Sequence, residues 1–161
     1  MAVGALAIVG CTSDPAPARP TVTPATAYVA IVQWEVEQSD PVVDEDGNIE
    51  PPVIYLASNL GGTVDVGVQA DVVAIIDDVA VIRFADDPRD ARDEGIESEP
   101  VKDEGVMIIF DEFDPDQTVV DALISRYRSV DDVATWALEI TATNVDGEAI
   151  ATVTSAAPVD G

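Results

Sequence analysis

Asp146-Gly147, set between two runs that alternate apolar and polar residues, is the feature that most narrows the fold. A two-residue hairpin loop needs backbone conformations that Asp and Gly tolerate, so this pair between alternating runs specifies a tight β-turn. Counting outward from a two-residue loop pairs Ala142 with Ala151 and Ile140 with Val153. Trp136, Leu138, Ile140 and Ala142 then share one face. A slip of one residue would move the whole set to the other side, so the turn and the hydrophobic pattern agree on one register.

Upstream, Val119 to Tyr127, Val106 to Phe110, Ala80 to Phe84 and Pro52 to Ala57 read as further strands. Val64, Val68, Val72, Ile75, Ile76 and Val79 recur at helical intervals, which predicts one amphipathic helix over 63–78. Near the start, Thr23-Pro24 offers a capping hydroxyl followed by a proline suited to the first helical turn. Tyr28, Ile31, Val32, Glu35 and Val36 continue at helical spacing, while Tyr28, Ala30, Val32, Trp34 and Val36 alternate as a strand would. Helix is the preferred reading of the two. The stretch "ADDPRDARDEGIESEPVKDEG" has no apolar periodicity and is expected to be a mobile loop. The resulting expectation is an α+β fold, with two helices packed on one face of an antiparallel sheet of about five or six strands. One domain over 23–159 suits a chain of 161 residues that is 47% hydrophobic.

Charge and composition remove whole classes of function. Thirty-two acidic residues stand against 7 basic ones, for a formal net charge of -25, and Lys102 is the one lysine. Nucleic acid is excluded as a partner, because phosphate recognition rests on clustered Lys and Arg. The chain has no histidine, so Ser-His-Asp and Cys-His nucleophile sets and His-ligated zinc are excluded as well. Asp86, Asp87, Asp90, Asp93 and Glu94 could supply a carboxylate pair, but read as a solvated acidic loop. Gly61-Gly62 has no Lys-Ser/Thr after it and is a turn rather than a phosphate loop.

Asp44 to Glu50, "DEDGNIE", resembles the middle of an EF-hand loop, with Asp44, Asp46 and Asn48 as the candidate calcium ligands. Val42 and Val53 occupy the end positions where carboxylates are needed, so any calcium site here is of weak affinity, and no other cofactor is implied. "DEFDPD", Asp111 to Asp116, lacks the spacing for such a loop. Arg126 and Arg128 lie two apart in a strand and share a face with Ile124, so they could hold an anion or pair with carboxylates on neighbouring strands. Trp34, Trp136, Tyr28, Tyr55 and Tyr127 read as packing residues.

Ile8-Val9-Gly10-Cys11 resembles the lipobox of bacterial lipoproteins, in which the signal is cut before a cysteine whose thiol takes a diacylglyceryl group. On that resemblance residues 1–10 are a truncated signal peptide without the usual basic start, and Cys11 is the lipidation site. Residues 11–22 then form a tether rich in Pro, Ala and Thr, with Pro15, Pro17 and Pro20 resisting helix and sheet. "VIRFADD", "GVMIIF", and "RYRS" followed by "WALEI" are similar to words in a group of uncharacterised actinobacterial secreted and lipid-anchored proteins. That likeness implies no activity. The functional expectation is a non-catalytic interaction or binding module, anchored by its N-terminal lipid to the extracytoplasmic side of the cell membrane. Its partner would be a protein or small molecule of unknown identity. The alternative is an envelope hydrolase using carboxylates with a divalent cation.

Overall fold

The computed structural model describes residues 19–43, 46–58, 64–76 and 78–159. Helix α1 (Pro24–Gln38) begins at a reciprocal cap: Thr23 Oγ1 accepts from the Thr26 amide at 3.2 Å, and Thr26 Oγ1 accepts from the Thr23 amide at 2.9 Å. Ala27 to Val32 are all buried in succession, so α1 is enclosed on nearly every side and shows little amphipathic contrast. That enclosure is why the helical and strand patterns competed in the sequence.

After α1 come the two-residue strands β1 (Val42–Val43) and β2 (Ile49–Glu50), then β3 (Val53–Ser58), α2 (Val66–Ile76) and β4 (Val81–Ala85). The long strands β5 (Val106–Phe113), β6 (Val119–Ser129), β7 (Asp132–Val145) and β8 (Glu148–Pro158) follow. β1 and β2 form a small antiparallel hairpin, and the other six strands form one sheet in the order β4-β3-β5-β6-β7-β8. No described helix is long and apolar enough to cross a membrane.

The fold is α+β, but the sheet is mixed and not antiparallel throughout. β5 to β8 form the expected antiparallel meander, whereas β3 runs parallel to both β4 and β5. Connectivity explains the correction: α2 carries the chain back between β3 and β4, and the stretch 86–105 does so between β4 and β5. Crossovers of this length deliver the next strand parallel. Central β3 is buried over Ile54 to Ala57, as parallel strands covered on both faces are.

The β7–β8 hairpin has the register that the turn dictates, Ala142 opposite Ala151 and Ile140 opposite Val153. Asp146 and Gly147 take φ of 53° and 95°, both in the region a two-residue hairpin loop needs. Beyond Ile140 the pairing shifts, so that Thr154 is an extra residue on β8.

Two clusters flank the sheet. Ile54 and Leu56, Ile108 and Phe110, Ile124, Leu138 and Ile140 join residues of α1 and α2 in the main core. Tyr55, Ala57, Met107 and Tyr127 form a second cluster with Ala85, Ala91 and Val101. These last three come from the stretch 85–105, expected to be a mobile loop; Ala85 ends β4, and beyond it the stretch folds into three 3-10 turns, Pro88–Ala91, Asp93–Gly95 and Lys102–Glu104. Where it rejoins the sheet, Gly105 approaches β3 so closely that a Cβ would lie 2.7 Å from the Val53 carbonyl oxygen.

Candidate functional site

Along one face of β6 the side chains change from aliphatic to cationic. Val120, Ala122 and Ile124 belong to the main core, and Arg126 and Arg128 continue the same alternation past the C-terminal end of α1. There they meet Glu35 of α1, only 1% exposed. Arg126 Nε–H is shared between Glu35 Oε1 at 2.9 Å and Oε2 at 3.1 Å. Arg126 Nη1 also donates to Asp132 Oδ1 at 3.1 Å. Arg128 Nη2 lies 3.4 Å from Glu35 Oε1 and donates to Ser39 Oγ at 2.9 Å, while the Ser39 hydroxyl donates to Glu35 Oε1 at 3.0 Å. A carboxylate at this depth is tolerable only when paired and hydrogen-bonded, and the two arginines and Ser39 meet that need.

The structure therefore brings Arg126 and Arg128 together around an anion, and that anion is the chain's own Glu35. Asp132 on β7 is the neighbouring-strand carboxylate that the spacing had suggested; Glu35 on α1 was missed as a site residue. Its signal was present, since a carboxylate sits within the helical stripe of Tyr28, Ile31 and Val32 and so requires a buried cation.

Two adjoining grooves open outside this cluster. One, of about 390 Å³, is lined by Val36, Pro41, Ile49, Pro52 and Val79, with Asp40, Glu50 and Asp78 among its carboxylates. The other, of about 170 Å³, shares Ser39, Asp40, Glu50, Pro51 and Pro52 and adds Arg128, Asp103 and Glu104. Proline and aliphatic walls with carboxylate rims suit an apolar or cationic group. Glu35 lines neither groove.

The other sequence candidates are dispersed. Asp46 and Asn48 are exposed and flank Gly47, whose φ is 84°. Asp44 and Cys11 lie outside the described residues. Among the described residues, no group of three or more acidic, Cys or His side chains is placed to hold a metal. In the stretch 86–94, Asp87 accepts from the Arg89 amide at 2.9 Å and from Arg89 Nη2 at 2.7 Å. These bonds hold its carboxyl at about 2, so it is ionised and no proton donor near neutrality. Asp111 accepts from Ser125 Oγ at 3.3 Å, and Asp114 from Gln117 Nε2 at 3.0 Å.

Tyr55 donates to Asp103 Oδ2 at 2.9 Å, and Arg83 pairs with the same carboxylate at 3.1 Å. Burial, helped by the bond to Asp103, pushes the Tyr55 hydroxyl up from its ordinary range. Trp34 and Trp136 meet edge to face at 5.4 Å, and Tyr28 packs on Phe110 at 4.2 Å. Tyr127 lies in the second cluster with Arg92 over its ring, 4.2 Å from the centroid. The aromatic residues are thus divided between the two clusters.

Six of the seven basic residues are held within the chain. Arg83, Arg89, Arg126 and Arg128 form the ion pairs given above. Arg92 Nη1 donates to the Glu97 carbonyl, and Lys102 Nζ donates to the Asp90 carbonyl at 2.8 Å. Comparison of the chain with protein-family models, with curated proteins and with solved structures finds no match in any of the three.

Proposed function

We propose that this chain is a lipid-anchored module on the extracytoplasmic side of the cell membrane, and that it binds a partner rather than transforming a substrate. The observation that carries this reading is the distribution of charge. With six of seven basic residues engaged internally and a formal net charge of -25, the surface offered to a partner is acidic. Such a surface attracts cationic or basic partners, raises their rate of encounter, and repels nucleic acid and anionic lipid. The reading takes α1 and α2 as one layer over the face of the sheet that carries the main core.

The anchor rests on the likeness of Ile8-Val9-Gly10-Cys11 to a lipobox. Among the described residues that follow, the Pro20 carbonyl accepts from Thr118 Oγ1 at 3.1 Å, and Val22 is buried and bridged to Gln117.

Expressed behind a complete signal in a lipoprotein-processing host, the protein is expected in the membrane fraction with a mass increase from acylation. Cys11→Ser is expected to abolish that increase and to leave the protein released or unprocessed. Two acyl chains at about 0.8 kcal/mol per buried methylene give lasting attachment, so the contrast between the two fractions should be near complete. Equal membrane retention of both forms, without a mass difference, would refute the anchor.

A further inference from the structure

Among the described residues, β8 ends the sheet, with β7 on one side and no strand on the other. Exposed strand edges in natural proteins are guarded by charged residues, prolines or bulges, because their free amides and carbonyls are a template for another strand. In β8 two of these devices lie in the second half, where Thr154 is the extra residue and Pro158 closes the strand. From Ala149 to Val153 there is neither a charge nor a proline.

Beside this unguarded half runs α1. Thr26, Val29 and Gln33 of α1, Ile75 of α2, and β8 from Glu148 to Ala151 line a groove of about 240 Å³. Ile75 and Ile150 there are 54% and 40% exposed, which is high for residues of this size beside a core. A smaller groove continues between Gln33, Trp34 and Glu37 of α1 and Thr152 and Val153 of β8. Glu148 and Glu37 thus stand at opposite ends of one crease, with no basic residue lining it.

We propose that Glu148–Val153 is a strand-addition site for an extended segment of a basic partner protein. The segment pairs with the β8 edge as a seventh strand, places an apolar side chain in the groove beside Ile75, and carries Lys or Arg at each end for Glu148 and Glu37. Backbone pairing supplies affinity in this mode, and the grooves for alternate side chains supply selectivity. From residue 148 to 152 a strand rises about 13 Å, so the two basic residues belong about four positions apart. A second copy of the chain is the disfavoured occupant, since pairing β8 with β8 brings together two molecules of net charge -25. The proposal rests on the reading of the chain as an interaction module and names the surface and the chemistry of its partner.

The probe is the capped peptide TKTVTKT, titrated against the 161-residue chain carrying Cys11→Ser, with amide exchange followed by NMR. Saturable binding is expected, with exchange of alternate amides between Glu148 and Val153 slowed at least about tenfold. Thr152→Lys, an exposed change that places a cation on the edge, should weaken binding at least about tenfold, and Ile75→Lys on α2 should do the same. TETVTET should bind at least about tenfold more weakly than TKTVTKT. Protection elsewhere in the chain, or affinity untouched by both variants, would overturn the edge assignment while leaving the interaction reading in place. No binding up to about 1 mM overturns the proposal. If self-association sensitive to Thr152→Lys accompanied that result, the occupant would be a second copy. Turnover of a cleavable substrate dependent on carboxylates would instead remove the interaction reading itself.

Discussion

Replacing Glu35 with alanine is expected to destabilise the fold by about 3–5 kcal/mol, the range for removing one partner of a buried ion pair. Glu35 is 1% exposed and receives hydrogen bonds from Arg126 and Ser39, with Arg128 within ion-pair distance. Without it, the Arg126 side chain, 19% exposed, keeps only Asp132 as a counter-ion, and the two guanidinium groups face each other across the vacated position. The loss should appear as a lower urea midpoint with an unchanged slope, because the surface exposed on unfolding hardly differs. Glu35→Leu combined with Arg126→Met and Arg128→Leu should recover most of the loss, since apolar replacement of a whole buried ionic cluster is often neutral or stabilising. A loss below about 1 kcal/mol for Glu35→Ala would show that the cluster is solvated and contributes little.

Arg92→Ala is expected to cost about 2–4 kcal/mol, summing a desolvated cation–π contact and a charge-assisted hydrogen bond. Arg92 is 7% exposed, covers the Tyr127 ring at 4.2 Å and donates to the Glu97 carbonyl. Its backbone also bridges Val101, whose amide donates to the Arg128 carbonyl at 2.9 Å, and the Tyr127 hydroxyl donates to the Glu99 carbonyl at 3.1 Å, so the Arg92 side chain is one of several ties between the stretch 86–105 and β6. Amide exchange should therefore rise first over 93–104, while amides of the main core change only as far as global stability falls. Uniform acceleration throughout the chain, or none at all, would contradict this anchoring role.

The parts of the fold that the sequence disclosed are those set by short-range rules. Asp146-Gly147 specified the hairpin because turn chemistry and a two-residue period acted within one stretch. Thr23-Pro24 marked the start of α1 for the same local reason. The parallel pairings of β3 were not legible, because nothing local says which strand a crossover will find. "VIYLA" did carry the continuous apolar run of a strand covered on both faces. The stretch 85–105 was read as a loop because two small anchors, Ala91 and Val101, do not make a periodic signal, and its third, Arg92, looks solvated in isolation. The site shows the same division. Arg126 and Arg128 were visible through their spacing within one strand, whereas Glu35 lies 91 residues from Arg126 in sequence and is brought to it only by tertiary packing.

The central claim is that the chain's 7 basic residues leave most of its 32 acidic ones uncompensated, and that this acidic exterior is what a partner meets. Thermal unfolding of the 161-residue chain carrying Cys11→Ser, followed by circular dichroism at about 0.1 M and about 2 M sodium chloride, tests it most directly. The Debye length falls from about 10 Å at 0.1 M to about 3 Å at 1 M, which removes most repulsion between carboxylates on separate elements. The protein should already be folded at the lower concentration, and its midpoint should rise by at least about 5 °C at the higher one. A midpoint that stays flat or falls with salt would mean that the carboxylates are already neutralised by pairing or bound cations, and would contradict the account.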